Sequence, residues 1–508
     1  MDLNSSLSIA TSGLEGTQYA LGVLSQNVSN ASTTGYVEEV ANLSAKDAAG
    51  TGSGVAIGLT TRNVNDALEA GLYTQNAEVA ALTVKDNSLS AITALQGSTS
   101  SDSGSTNTLS DDLGNVSNAL TALVSSPTDS TAQATVISSA KTLTSAINTL
   151  STEYQTQRQS AQDAIVSGVS DINTDLTTIG KISQQIVSLK VQGVSVADLE
   201  NQRAAVMSDL SSQLSVTFTE TSSGDMLVKT ANGTQLPTEP DSNSGIETPS
   251  STWPLSTSDI TISASSSYSS DASSSTIPGI DLEINGKSVD ITSSLTGGSL
   301  GANIDLRDNV YPEMQAQLDS FSYTLANRFN AVGMTLFTDG TGSMPASDTS
   351  ATTPSGITGL SSTLEVNPSY VSDPSQLAPD GSTTTVTDAL SKALGSATAD
   401  VSGDLAAPVS SLGASGTLTI SYSANQSLSS LATTLTSAQA AVASAATSDL
   451  STATTVQTSL ATKVSTVSGV DVDNEMSNMV ALQNAYTANA KVITAVQAMF
   501  TALLDAVS

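Results

Sequence analysis

No cysteine and no histidine occur anywhere in the 508 residues. Their absence excludes disulfides, zinc sites of the usual Cys/His kind, haem ligation, and every catalytic dyad or triad built on an imidazole or a thiolate. It is as compatible with a chain that is exported reduced and threadable as with one that stays in the cytosol. Aromatic residues make up only 3% of the chain, against 38% hydrophobic residues in all. The core must therefore be Leu, Val, Ile and Ala, which suits long helices and slender bundles. Basic residues are scarce too: 15 Lys and Arg stand against 47 Asp and Glu, a formal charge of −32, with a pI near 4.1. Nucleic acid and anionic membrane surfaces need clustered Lys and Arg, so neither is an expected partner. No stretch approaches roughly 18 uninterrupted apolar residues, and no transmembrane helix is expected. The first basic residue is Lys46, after Asp2, Glu15, Glu38 and Glu39; this amphipathic, acidic start lacks the features of a cleaved secretory signal.

What the chain does have is a matched pair of ends. Leu3, Leu7, Ala10, Leu14, Thr17, Leu21, Leu24 and Val28 step by fours and threes, the heptad spacing that lines one seam of a helix. Leu482, Tyr486, Asn489, Ile493, Val496, Phe500, Leu503 and Val507 repeat the stepping, widened by Met479, Val492 and Met499. Isolated helices of this length are marginal, whereas each buried Leu or Phe contributes roughly 1.5–3 kcal/mol once a partner surface is present. The two stripes are therefore expected to order on contact and to form an assembly interface.

Between them the pattern is mostly helical. Asn27 to Tyr36 is a cluster of turn formers in which Asn30, Thr33, Gly35 and Tyr36 form a cap and hinge. Helices are expected from Asn65 to Ala94, from Leu109 to about Leu214 as a rod or pair of rods, from Pro312 to Val332, near Val386 to Leu394, and from Leu428 to Val467. The last of these has little charge for an exposed helix, and is expected to pack lengthwise on residues 65–214. Val216 to Glu220 and Met226 to Thr230 flank Ser223-Gly224-Asp225 as a hairpin; Asp281 to Ile284 before Asn285-Gly286 reads as a second, and Thr417 to Tyr422 as a strand. Ser263 to Ser275 buries little and reads as surface loop, and Gly297-Gly298-Ser299-Leu300 closes the β-rich segment.

The resulting expectation is a multidomain α+β fold: a long-helix bundle formed by both chain ends and the middle, with β-rich outer insertions. Residues 1–35 and 470–508 form terminal coiled-coil helices. Residues 36–215, 298–340 and 426–469 form a long-helix domain, 216–297 a β-rich outer domain and 341–425 a mixed outer insertion.

Acidic groups are the only catalytic candidates left. Asp305 and Asp308 around Arg307 read as a charged helix start, Glu38-Glu39 has the same status, and Asp471-x-Asp473-x-Glu475 lacks the glycine and closing glutamate of a calcium loop. Gly50, Gly52 and Gly54 match a dinucleotide fingerprint only superficially, because no apolar strand precedes them. No catalytic residue, cofactor or metal ligand is assigned, and no enzyme is expected.

Three segments carry a resemblance. The first helix followed by Asn30-Ala31-Ser32-Thr33-Thr34-Gly35-Tyr36 resembles the Asn-x-x-Thr-Pro-Gly-Tyr signature of rod, hook and hook-associated proteins, with Thr34 where proline is usual. Ser468 to Met476 and Gln483 to Ile493 are similar to the terminal helix of that set. Gly297 to Leu300, Asp305 to Asp308 and Pro312, then Leu318-Asp319 and Leu325-Ala326, point to the flagellar hook-associated protein 1 family in particular. The chain departs from the family in having Val37-Glu38-Glu39 where Ser-Arg-Gln is common, and residues 231–280 and 340–425 match poorly.

The resemblance implies a structural role at the hook–filament junction, outside the cell on the bacterial flagellum, reached without a cleaved signal peptide. Its implied partners are further copies in a junction ring, hook protein, a second hook-associated junction protein, and a cytoplasmic export chaperone. Met479, Leu482, Tyr486, Ile493, Val496 and Phe500 offer helical anchors for that chaperone. Two rivals share some features: a hook, rod or filament subunit of the same export class, and a Ser/Thr-rich extracellular adhesin or surface-layer protein. A carboxylate glycosidase is a distant third.

Overall fold

The computed structural model describes residues 3–33, 35–48, 51–97, 108–240, 252–271, 273–284, 286–345, 357–395 and 406–507. Thr34, Gly50, Asn285 and parts of both outer insertions lie outside them. Helix α1 (Leu3–Asn30) is followed by four short strands, β1 (Glu39–Val40), β2 (Leu43–Ala48), β3 (Thr51–Ile57) and β4 (Thr61–Arg62). The sequence reading placed no strands here. β2 and β3 form an antiparallel hairpin with a bulge after Lys46, and β1 pairs with β4. Gly54, at φ 127°, supplies a backbone angle that other residues rarely adopt, which explains one of the glycines that mimicked a nucleotide motif.

Helices α2 (Asp66–Gln96), α3 (Leu109–Ser125), α4 (Ser130–Val191) and α5 (Ala197–Gln213) follow. Asn65 caps α2, a Thr108/Asp111 capping box opens α3, and Asp129 accepts from two amides of α4. At 1.5 Å per residue, α4 is a rod roughly 90 Å long, and two cores share it. Its first half, with Val136, Ala140, Leu143, Ile147 and Leu150 buried at three- and four-residue steps, packs with α3 and with later helices. Its second half carries Ile165, Val169, Ile172, Leu176 and Ile179 into a mixed core with α5 and the sheets.

Those sheets are small. β5 (Val216–Glu220), β6 (Met226–Thr230) and β7 (Gln235–Leu236) form one, with Val216 opposite Thr230 as in the expected hairpin. β8 (Leu255–Ser256), β9 (Asp281–Ile284) and β10 (Lys287–Asp290) form the other. The chain then returns to the bundle through α6 (Gly298–Asp305), a π turn (Leu306–Val310) and α7 (Tyr311–Ala331). The helix expected to begin at Pro312 therefore begins at Gly298. Proline, which has no N–H, sits just past the π turn, where the amide of Tyr311 bonds back to Leu306.

Gly297 and Gly298 sit at φ 68° and 62°. A Cβ on Gly298 would overlap the backbone joining Gln213 to Leu214. Gly298→Ala combines positive-φ strain with this overlap and is expected to cost about 3 kcal/mol. A urea melt of the full chain checks it, with Gly114→Ala inside α3, where nothing lies within 4 Å and alanine is expected to stabilise by about 0.5–1 kcal/mol, as the control of opposite sign.

The second insertion holds β11 (Phe337–Thr338), α8 (Leu360–Thr363), β12 (Glu365–Val366), α9 (Pro368–Ser372) and α10 (Thr384–Asp388), the last continuing as a π-helical turn. Thr417 to Tyr422 is not a strand: a single antiparallel bridge joins Leu418 to Leu412, and no neighbouring strand among the described residues extends it. Asp319 of α7 anchors this insertion, accepting from the amides of Gly359 and Ser361 at 2.7 and 2.9 Å and from Gln315 at 2.9 Å. Helices α11 (Leu428–Ser468) and α12 (Val472–Val507) complete the chain. α11 runs antiparallel along α2: Gln75 donates to the Ala453 carbonyl at 3.1 Å, and Thr447 to Asp86 at 2.5 Å. This is the lengthwise packing expected from its low charge. No helix among the described residues is long and apolar enough to cross a membrane.

Candidate assembly surface

The two chain ends pack along each other, α1 against α12. On α1 the buried positions are Ala10, Gly16, Thr17, Ala20, Leu24 and Asn27. Leu3, Leu7, Leu14, Leu21 and Val28 are half-buried. Small residues let the backbones approach: a Cβ on Gly13 would come 2.9 Å from the Asn489 amide nitrogen. Another face of α1 takes the β2–β3 hairpin, with Gly16 against Val55, Ser12 Oγ accepting the Val55 amide at 3.1 Å, and Tyr19 bonding Thr60 at 2.5 Å.

α12 is far less covered. Val496 is buried, while Met479, Leu482, Tyr486, Ile493 and Phe500 are half-buried on the α1 side. Leu503 is 57% exposed, and other apolar residues stay open on the two flanks of the seam: Val492 and Met499 on one, Met476, Val480 at 56% and Leu504 at 69% towards the other. Burial of one Leu contributes roughly 1.5–3 kcal/mol, so these flanks hold unused cohesive energy. The chaperone candidates thus lie mainly on the side that α1 half-covers, and the exposed residues lie beside them.

A polar hub ties this helix pair to the body. The hinge turns at Asn30 to Gly35, where the Thr33 amide bonds the Asn30 carbonyl at 2.8 Å and Gly35 takes φ 78°. The chain then passes between two buried asparagines. Asn27 Oδ1 accepts the Glu39 amide at 3.0 Å and the Tyr36 hydroxyl at 3.1 Å. Its Nδ2 donates to the Glu39 carbonyl at 2.8 Å and to Glu475 of α12 at 2.7 Å. From the other side, Asn201 of α5 donates to the Glu39 carboxylate at 3.0 Å and accepts from Arg62 at 2.8 Å. The Glu38 amide reaches the Ser468 carbonyl at the α11–α12 joint at 2.9 Å. Asp471 caps α12, accepting from the amides of Asp473 and Asn474 at 3.0 and 3.2 Å, so the Asp471–Glu475 run is an acidic helix start.

Glu39 and Glu475 are both 5% exposed. Burial pushes the Glu39 carboxyl up to about 7, with Asp198 adding to the push; burial raises Glu475 as well, against its bond from Asn27. Asn27, Asn201, Arg62 and Glu475 were not singled out as hub residues from sequence. Asn27 stood out only as the start of a turn cluster, and Glu475 only as part of an acidic helix start beside the Glu38-Glu39 pair. Asn27→Ala removes four hydrogen bonds from a buried place and is expected to cost about 2 kcal/mol. Loss of exchange protection at the Glu39 amide, with α4 unaffected, checks it.

Residues 98–343 match the family model of the flagellar hook-associated protein FlgK helical domain. Residues 464–506 match that of the flagellar basal body rod FlgEFG protein C-terminal region. Both matches place this chain's similarity among flagellar hook-associated and rod proteins. Flagellar hook-associated protein 1 of Salmonella typhimurium is 27% identical over 241 residues, covering 46% of this chain and 42% of the relative; the Salmonella typhi protein gives the same figures. The chain thus matches these curated relatives over less than half of their length. The flagellar hook junction protein FlgK from Burkholderia pseudomallei is 22% identical, with a TM-score of 0.42 over 55% of this chain and 46% of that one. Members of the hook-associated protein 1 family are structural flagellar proteins. The first match spans α3 to α7, including the Gly297 to Pro312 segment that singled out this family, and the second spans the free-faced helix α12.

Proposed function

We propose that this chain is a structural, non-catalytic component of the bacterial flagellum that joins hook to filament. The observation that carries this reading is the terminal helix pair: α1 and α12 cover one seam of each other, while apolar residues on both flanks of α12, Val492 and Met499 among them, stay uncovered. A heterologous contact of this kind repeats from copy to copy without closing within a pair, so burial of the free face is linked to polymer-type assembly. In this reading residues 1–35 and 470–508 are the inner layer, the long helices form a second layer, and residues 216–297 and 341–425 are outer domains. The partners are further copies in a ring, hook protein on one side, and a second hook-associated protein on the other. A cytoplasmic chaperone covers Met479 to Leu503 before export.

The match of α12 to rod-type proteins favours one alternative, a rod or hook subunit. Immunogold electron microscopy of hook–filament preparations separates the readings. A band confined to the junction is the expected result; label along the hook or rod, or none on the flagellum, overturns it.

A further inference from the structure

We propose that Lys491 of one copy inserts into an acidic groove at the hub end of the next copy's terminal helix pair. The inference rests on the assembly reading above and names a contact that joins successive copies. The groove, about 260 Å³, opens between α1, β1 and the first turns of α12. Val23, Val40 and Leu482 supply apolar walls, and three carboxylates line it, those of Glu38, Glu39 and Glu475. Each is met by a neutral amide: Asn63 donates to Glu38 at 2.9 Å, Asn201 to Glu39 at 3.0 Å and Asn27 to Glu475 at 2.7 Å. Among the described residues none of the three forms an ion pair, and no Lys or Arg lines the groove. Arg62 approaches Glu39 from the α5 side, where Asn201 and Glu69 engage it at 2.8 and 3.4 Å.

With Glu39 and Glu475 each 5% exposed, water screens their charge poorly. Apolar walls around such carboxylates suit a long aliphatic stem that ends in a cation. A small inorganic cation would leave the walls in water, and an apolar side chain would leave the carboxylates without a counter-charge.

The terminal helices hold one side chain of that kind. Lys491 is the only Lys or Arg in α1 or α12. It is exposed, forms no ion pair among the described residues, and stands between exposed Ala488 and Ala495, one turn to either side, which leave its stem free to project. It lies roughly 24 Å along α12 from Glu475, too far to reach its own groove. Knob and groove are different surfaces of one chain, so the contact is heterologous and repeats from copy to copy. Val492 of the open flank follows Lys491 directly, so one approach can bring both against a neighbour.

The chain has no cysteine, so paired thiols report the contact without background. Asn478→Cys at the groove and Ala488→Cys beside Lys491, placed in one full-length chain, are expected to give dimers linked from 478 of one copy to 488 of another when hook–filament preparations are treated with a short thiol cross-linker. Asn478→Cys with Ser138→Cys, exposed on α4, should give none. Lys491→Glu and Glu38→Lys are each expected to lower incorporation at the junction at least about tenfold, and the two together to restore much of it. Lys463→Glu, the same change on exposed α11, should be without effect. A chain that incorporates normally with Lys491→Glu and gives no 478–488 link overturns this contact and leaves the assembly reading standing. Loss with Glu38→Lys but not with Lys491→Glu assigns the groove to another protein's cation and overturns it too. A wild-type chain absent from the flagellum overturns both.

Discussion

A chain carrying Val492→Asp together with Met499→Asp is expected to fold as a monomer and to fail in assembly. The two positions lie seven residues apart on the face of α12 that α1 leaves open, and their side chains are 45% and 51% exposed. In the monomer both carboxylates stay in water, and the change costs only helix propensity, about 0.5 kcal/mol per residue. In an assembled contact each would be an unpaired charge in an apolar seam, a penalty of several kcal/mol. About 4 kcal/mol corresponds to a roughly 1000-fold weaker association. Circular dichroism should be unchanged, while sedimentation and filament attachment report the loss. Ile493→Asp is the informative contrast: this residue is half-buried on the α1 side, so the helix pair itself should open in the monomer. Normal assembly by the double variant would show that the open face of α12 has no partner.

Asp308→Ala is expected to be the most damaging single truncation of a charge in the core, at about 4 kcal/mol. Arg307 is fully buried in the π turn, bonded to Asp308 at 2.8 and 2.7 Å and to Gln162 at 2.7 Å, with its guanidinium 5.8 Å from the ring centre of Tyr268. Arg158 of α4 lies beside it, 2% exposed, donating to the carbonyls of Arg307, Ser263 and Ser266 at 2.7, 3.0 and 2.7 Å. Burial pushes Arg158 down to about 10, and Arg307 adds to this while Asp308 opposes it. Removing Asp308 strands two buried guanidinium groups side by side. Asp305→Ala, three residues earlier, breaks a half-exposed pair with Lys85 and an exposed hydrogen bond from Asn309, and should cost about 1 kcal/mol or less. Denaturant midpoints of the two variants, measured side by side, check the difference. Equal midpoints would mean that the buried cluster is solvated after all.

Asp305, Asp308 and Arg307 also show where sequence reading stops. Read locally they were one charged helix start; in the structure Asp305 faces a surface lysine while Arg307 and Asp308 pair in the interior. Nothing in their spacing distinguishes the two fates. Ser263 to Ser275 was read as surface loop, and half of its described residues are exposed with the rest partly covered, yet two of its carbonyls cap Arg158. Thr417 to Tyr422 has strand-forming residues but no partner strand among the described residues, and β propensity without a ladder yields one bridge. The β2–β3 hairpin was missed for the opposite reason: its Gly-rich, weakly alternating strands gain their register from α1, through Gly16 and Ser12.

The sequence by itself determined the long helices, their apolar stripes, the hairpin of Val216 to Thr230, and the heptad stepping of both ends, because each depends on residues three, four or two positions apart along one element. Tertiary structure alone decided which side of each stripe is covered, and that Glu39 and Glu475 meet across a chain separation of hundreds of residues at Asn27. Burial and desolvation are set by what arrives from elsewhere in the chain, and no local period encodes that arrival.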